Sequence, residues 1–150
     1  MRNSKVKGFT LIELIVVIAI IGVLAAILVP SMMGFVKDSK YSTANANAKL
    51  VHTNLSTWAA KEEANGTPLD DTDSGSCTIA ASSTAPTPGT SSCADALGYY
   101  MNSANGSDAQ WTIDTSGAPT KAWWRSSGSD TVVGRYPDPT SADAPTTMGA

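Results

Sequence analysis

The feature that most constrains this chain is an apolar run near its N-terminus that carries no charge from Leu14 to Val36. These 23 residues exceed the roughly 20 that an α-helix needs to cross a bilayer. One carboxylate, that of Glu13, stands directly before the run. Because a charged group inside hydrocarbon is costly and therefore rare, Glu13 is predicted to have a function.

The charges are divided unevenly around this run. Arg2, Lys5 and Lys7 precede it, and such a basic cluster predicts that residues 1–8 stay on the cytoplasmic side of a membrane. Of the 10 basic and 13 acidic residues, the part from Phe9 onward keeps 7 and 13, a net charge of −6. This acidic balance argues against nucleic acid as a partner.

The apolar run continues into a different pattern without a loop between them. Apolar residues recur every three or four positions, which is typical of an amphipathic helix with one buried face. They are Tyr41, Ala44, Ala48, Val51, Leu55, Trp58 and Ala59. Asn65-Gly66 and then Pro68 predict the end of the helix. We therefore expect one helix over 9–65, with an apolar half (9–36) and an amphipathic half (37–65), on which His52 is a solvated residue.

The rest of the chain, 66–150, predicts a small exposed domain. Residues 66–92 are a loop by composition, 94–101 form a short helix or turn, and 109–114, 121–126 and 131–136 indicate three strands. Their short connections favour antiparallel pairing. The predicted fold is α+β, with the long helix packed against a three-stranded sheet. By strand alternation, one of Trp123 and Trp124 faces the helix and the other faces solvent, where it is a possible contact for a partner or a sugar.

The residues around Glu13 identify a family. The sequence KGFTLIEL (7–14), followed by the apolar run and Pro30, resembles the prepilin cleavage and methylation motif of type IV pilins and pseudopilins. A cleaved secretory signal peptide fits less well, because the apolar run leads into a helix and begins with Glu13.

The resemblance implies a processing step and an assembly role. A prepilin peptidase would cut between Gly8 and Phe9, removing the leader 1–8, and the new amino group of Phe9 would be N-methylated. In a filament of packed helices, Glu13 would offset the charge of this amine on a neighbouring subunit, since an unpaired charge there is costly. Gly22 and Pro30 are implied as points of helix flexibility.

The two cysteines depend on the compartment in which the domain folds. In an exported domain, Cys77 and Cys93 are predicted to form a disulfide that closes the 77–93 loop, whereas in a reducing compartment they would remain two thiols.

No catalytic constellation is found in the sequence. DDTDSG (70–75) lacks the glutamate that an EF-hand loop requires. We expect no enzyme activity, cofactor or metal.

Three functions remain open at this stage. The leading one is the structural subunit, major or minor, of a type IV pilus for adhesion, motility or colonisation. The alternatives are a pseudopilin of a type II secretion or DNA-uptake machine, and a membrane-anchored sugar-binding module. The partners expected for the first are further copies in a helical homopolymer, the prepilin peptidase, the assembly machinery and the cytoplasmic membrane. The chain would then be a single-pass membrane precursor and afterwards a cell-surface filament subunit.

Overall fold

The computed structural model describes residues 8–142 and 146–149. Contacts divide the chain into two units, Met1–Lys37 and Asp38–Ala150. The helices and strands, in chain order, are α1 (Leu11–Asn65), a 3-10 turn (Asp71–Asp73), β1 (Gly75–Thr78), α2 (Cys93–Tyr100), a 3-10 turn (Asn102–Ala104), β2 (Asp108–Ile113), β3 (Pro119–Arg125) and β4 (Gly134–Tyr136).

The described part of the first unit is the apolar part of α1 and the residues before it. All side chains from Gly8 to Lys37 are exposed. By length and composition, α1 can cross a membrane. The predicted long helix is confirmed, and it continues without a break through Gly22 and Pro30.

The second unit is built on the amphipathic part of α1. The predicted buried face is confirmed for six of its seven residues, of which Leu55 and Trp58 are fully buried, while Ala59 is half-buried. The buried side chains from Ala44 to Trp58 form one core with the inward faces of α2 and the sheet. The fold class, a long N-terminal helix packed against a small antiparallel sheet, is thereby confirmed.

The sheet has four strands, so the prediction of three was wrong. Its order is β1-β2-β3-β4 and every neighbouring pair is antiparallel. β1, Gly75–Thr78, was assigned to the loop because its sequence GSCT carries no large apolar residue. Only Cys77 of this strand packs on the core, so β1 depends on its pairing with β2 more than on burial.

A close crossing joins α1 to the last strand. A Cβ atom on Gly134 would overlap the backbone of Ala44 and Asn45, so only glycine allows β4 to approach the helix this closely. The Asn45 side chain closes the junction. Its Oδ1 accepts hydrogen bonds from the backbone N–H groups of Arg135 and Thr140, both at 3.0 Å, and its Nδ2 donates to the Thr140 carbonyl at 2.7 Å.

Both tryptophans of β3 are buried, so the expected exposed tryptophan is absent. Trp124 belongs to the helix-facing core and donates from Nε1 to the Ser107 hydroxyl at 2.9 Å. Trp123 is opposite Gln110 and Arg135 in the register and is 2% exposed, although it lies outside that core. The C-terminal segment lies beside both of its neighbours: the Arg135 side chain donates to the Asp138 carbonyl, and Gly149 lies against Gln110. We attribute the burial of Trp123 to this segment, whose Pro-rich sequence gave no sign that it packs.

Candidate functional site: the start of the apolar helix

The predicted cleavage point lies just before α1. Gly8 and Phe9 are exposed and outside regular secondary structure, and Phe9 is 75% exposed. A Cβ atom on Gly8 would meet no other atom within 4 Å. A peptidase needs accessible backbone outside a helix, and Gly8 and Phe9 meet that requirement. Cleavage and methylation here stay predictions.

Glu13 lies in the first turn of α1 and caps the helix. Its Oε2 accepts hydrogen bonds from the Thr10 backbone N–H at 2.8 Å and from the Thr10 hydroxyl at 2.6 Å. The Thr10 Oγ1 in turn accepts from the Glu13 N–H at 3.3 Å. This reciprocal pair is a capping box, in which two side chains satisfy backbone donors that a helix start leaves unpaired. The carboxylate is therefore held at the helix start by its own chain.

Thr10 is the residue of this site that the sequence analysis missed. The signal was present, because Thr10 and Glu13 have the spacing of a capping box directly before an apolar run. The structure thus adds a residue that positions the carboxylate, and it leaves the assembly role of Glu13 a prediction.

The two predicted flexible points lie within continuous helix. Gly22 has open space around its Cα atom, and Pro30 cannot donate a backbone hydrogen bond to residue 26. The Ser31 hydroxyl donates to the Leu28 carbonyl at 2.9 Å, next to the proline. Helix loss between these positions stays a prediction.

The surface around these residues is apolar and uncovered. From Phe9 to Val36, the large aliphatic and aromatic side chains are between 45% and 76% exposed. Patches of this size on soluble proteins mark contacts with lipid or protein.

The remaining candidate residues lie in the second unit. Cys77 and Cys93 are both present as thiols, so their disulfide stays a prediction. His52, expected to be solvated, is half-buried, with Nε2 at 2.9 Å from the Pro119 carbonyl and its ring 4.7 Å from that of Tyr136. Across 8–142 and 146–149, no group of three or more His, Cys, Asp or Glu residues is arranged to hold a metal ion.

Comparisons with known proteins bear on this N-terminal site. Residues 3–29 match the family described as the prokaryotic N-terminal methylation motif. The chain is 51% identical over 51 residues to the type IV major pilin protein PilA of Myxococcus xanthus, covering 34% of the chain and 23% of that protein. It is 36% identical over 77 residues to the type IV major fimbrial protein FimA of Dichelobacter nodosus, covering 51% and 44%. It is 39% identical over 51 residues to the type II secretion system core protein G of Pseudomonas aeruginosa, covering 34% and 36%. No solved structure matches the chain.

These matches confirm the resemblance to type IV pilins and pseudopilins. The class defined by the motif is that of proteins with a prokaryotic N-terminal methylation segment, and within it this chain is similar to major pilins and to a type II secretion core protein. The matching regions span less than half the length of each relative named above.

Proposed function

We propose that this protein is the structural subunit of an extracellular type IV pilus. The observation that carries the proposal is the combination, in one helix, of the methylation motif over 3–29 with an apolar surface that nothing in the described chain covers. The hydrophobic effect requires a cover for such a surface. Lipid supplies it before assembly, and the same helix of further copies supplies it in the filament.

The residues at the start of α1 allow the helix to pass from the membrane into the filament. Cleavage after Gly8 creates a cationic amine on Phe9, and methylation keeps its charge. Before assembly, Glu13 accepts hydrogen bonds only from Thr10 among the described residues, so its negative charge has no cationic partner there. In a filament, the amine of a neighbouring copy supplies this partner, and a charge-assisted bond of this kind is shorter and stronger than a neutral one. Glu13 thereby sets the axial register at which one subunit docks on the next.

The second unit is the part displayed outside the filament. Its sheet, its Ser- and Thr-rich loop 79–92 and its C-terminal segment carry the surface that determines adhesion. The sugar-binding alternative depended on an exposed Trp123 or Trp124. Because both side chains are buried, the structure does not support that alternative.

A pseudopilin remains the second candidate, favoured by the similarity to the type II secretion core protein. Antibodies against 66–150 distinguish the two: long labelled surface filaments support the pilus, whereas a short structure confined to the envelope, together with loss of protein secretion on deletion, supports the pseudopilin.

Substitution of Glu13 tests the assembly step. Glu13→Val should insert normally and accumulate in the membrane, with filament yield reduced at least tenfold. Glu63→Gln is the matched control, because it removes an exposed carboxylate from the same helix outside the apolar part. Normal filaments with Glu13→Val would refute the docking role of the carboxylate while leaving the pilus assignment to the antibody experiment.

A further inference from the structure

The two thiols are on elements that pack against one core. Cys93 is the first residue of α2, is 5% exposed and belongs to the core cluster with Leu97 and Trp58. Cys77 is half-buried on β1 and packs on the same cluster. α2 also packs closely on the loop after β1, because a Cβ atom on Gly98 would overlap the Ala80 carbonyl oxygen. With Cys93 5% exposed, the packing of α2 on the core shields its sulfur atom from reagents.

The electrostatic surroundings of both thiols disfavour the thiolate. Burial, followed by the nearby carboxylates of Asp73 and Glu62, raises the pKa of the Cys93 thiol from 9.0 to about 12. Burial and then Asp108 raise the pKa of Cys77 as well. Cys77 also contributes, as the smallest of these causes, to the raised pKa of Cys93. Since the thiolate is the reacting form, these surroundings add a chemical barrier to the steric one.

We propose that the redox state of the Cys77–Cys93 pair is set before α2 closes on the core, and that the folded protein then keeps it. In the open chain, the thiolate of one cysteine attacks a small-molecule disulfide. A mixed disulfide forms between that cysteine and one half of the reagent, and the other half leaves as a thiolate. The second cysteine thiolate attacks that bond, releases a second thiol and leaves the Cys77–Cys93 disulfide. Two protein thiols are oxidised, one external disulfide is reduced to two thiols, and the protons pass to the released thiolates.

By this mechanism, the redox state of the cysteine pair in the folded protein depends on whether an oxidant was present during folding. A chain that folds in an oxidising compartment closes the 77–93 loop with a covalent bond, which the core then shields from reductants. A chain that folds without an oxidant keeps two thiols, with that of Cys93 buried and that of Cys77 half-buried. The inference concerns the second unit alone and is independent of the proposed pilus function.

The rate at which Cys93 of the folded protein reacts with a disulfide can be estimated from the fraction of Cys93 that is thiolate. A pKa of about 12 in place of 9.0 lowers the thiolate fraction at neutral pH about a thousandfold. The higher intrinsic nucleophilicity of the more basic thiolate, with a Brønsted coefficient of about 0.4–0.5, recovers part of this and leaves exchange about 30–60-fold slower. Steric protection slows it further.

The test uses the reduced full chain in detergent micelles with oxidised glutathione, followed by mass spectrometry after acid quench. Ser83→Cys provides the reference, because Ser83 is exposed in the same loop and no hydrogen bond of its side chain is seen in the described chain. In the folded protein, oxidised glutathione should modify the reference thiol at least 30-fold faster than Cys93. The wild-type chain, unfolded in urea with the same oxidant and then refolded, should lose two hydrogen masses as a monomer.

A second variant separates docking of α2 from general stability. Gly98→Ala should loosen α2 and accelerate oxidation of the pair, while leaving the rate at the Ser83→Cys reference unchanged. Oxidation of the folded wild type at the reference rate would overturn the proposal. So would formation of only intermolecular disulfides by the unfolded chain.

Discussion

The junction between α1 and β4 allows a quantitative prediction for the second unit. The Asn45 side chain bonds both the last strand and the segment after it, through the backbone of Arg135 and Thr140. Thr140 is buried, and its hydroxyl donates to the Val133 carbonyl at 2.5 Å. Replacing Asn45 with alanine removes these three hydrogen bonds and a fourth, from the Thr140 hydroxyl to Oδ1 at 3.0 Å, without an unfavourable change in helix propensity.

The cost follows from the groups that lose their partners. Asn45→Ala leaves two backbone N–H groups and one carbonyl without the side chain that satisfied them. Each such group costs about 1–3 kcal/mol when fully buried. Because Arg135 is half-buried and water can reach part of the junction, we expect a total loss of about 2–4 kcal/mol in the free energy of unfolding.

The assay is urea unfolding of the full chain in detergent micelles, followed by near-UV circular dichroism of the tryptophans. Asn47→Ala is the matched control: it lies on the same helix, is half-buried, and makes no side-chain hydrogen bond that is seen in the described part of the chain. The control should change stability by less than about 0.5 kcal/mol. Equal effects of the two substitutions would refute the role of Asn45 as the link between helix and strand.

Three further predictions concern the same unit. Gly134→Ala should prevent the close crossing at Ala44, and no folded species should be detected by near-UV circular dichroism unless β4 moves away. Trp124→Phe should lower the free energy of unfolding, measured in urea, by about 1 kcal/mol more than Trp58→Phe does. The reason is that the Nε1 of Trp124 donates a hydrogen bond, whereas the buried Nε1 of Trp58 has no hydrogen-bond partner. Hydrogen bonds from the side chains of Thr78 and then Arg125 lower the pKa of Asp108 below 3.8. The stability that ionised Asp108 contributes is therefore present above pH 3.8 and is lost as the pH falls through the lowered pKa. Asp108→Asn should therefore flatten the acid limb of a pH–stability curve, and an unchanged limb would contradict this.

The helix was predictable because both of its signals are local. A charge-free run and a repeat every three or four residues each indicate helix without knowledge of the rest of the chain, and Tyr41, Val51 and Trp58 are buried as the repeat predicts. The strands at 108–113 and 119–125 were predictable from their tryptophans and alternation. In these segments, local pattern and tertiary packing agree.

The remaining features depend on partners distant in sequence. β1 forms because β2 offers it a free edge, and its own residues carry no apolar signal. His52 is half-buried because the start of β3 and Tyr136 pack over it. Trp123 is buried outside the helix-facing core, and we attribute this to the C-terminal segment, whose composition indicates irregular chain. Pattern analysis of one element cannot detect a cover supplied by another.

The central claim is that the chain is processed at Gly8–Phe9 and polymerises through the helix that begins there. The intact mass and N-terminal sequence of the subunit in purified surface filaments test this most directly. The account predicts a protein that begins at Phe9, carries one added methyl group on its amine and ends with the 66–150 domain intact. A mature N-terminus near Ala26, or an unprocessed chain beginning at Met1 in those filaments, would contradict it.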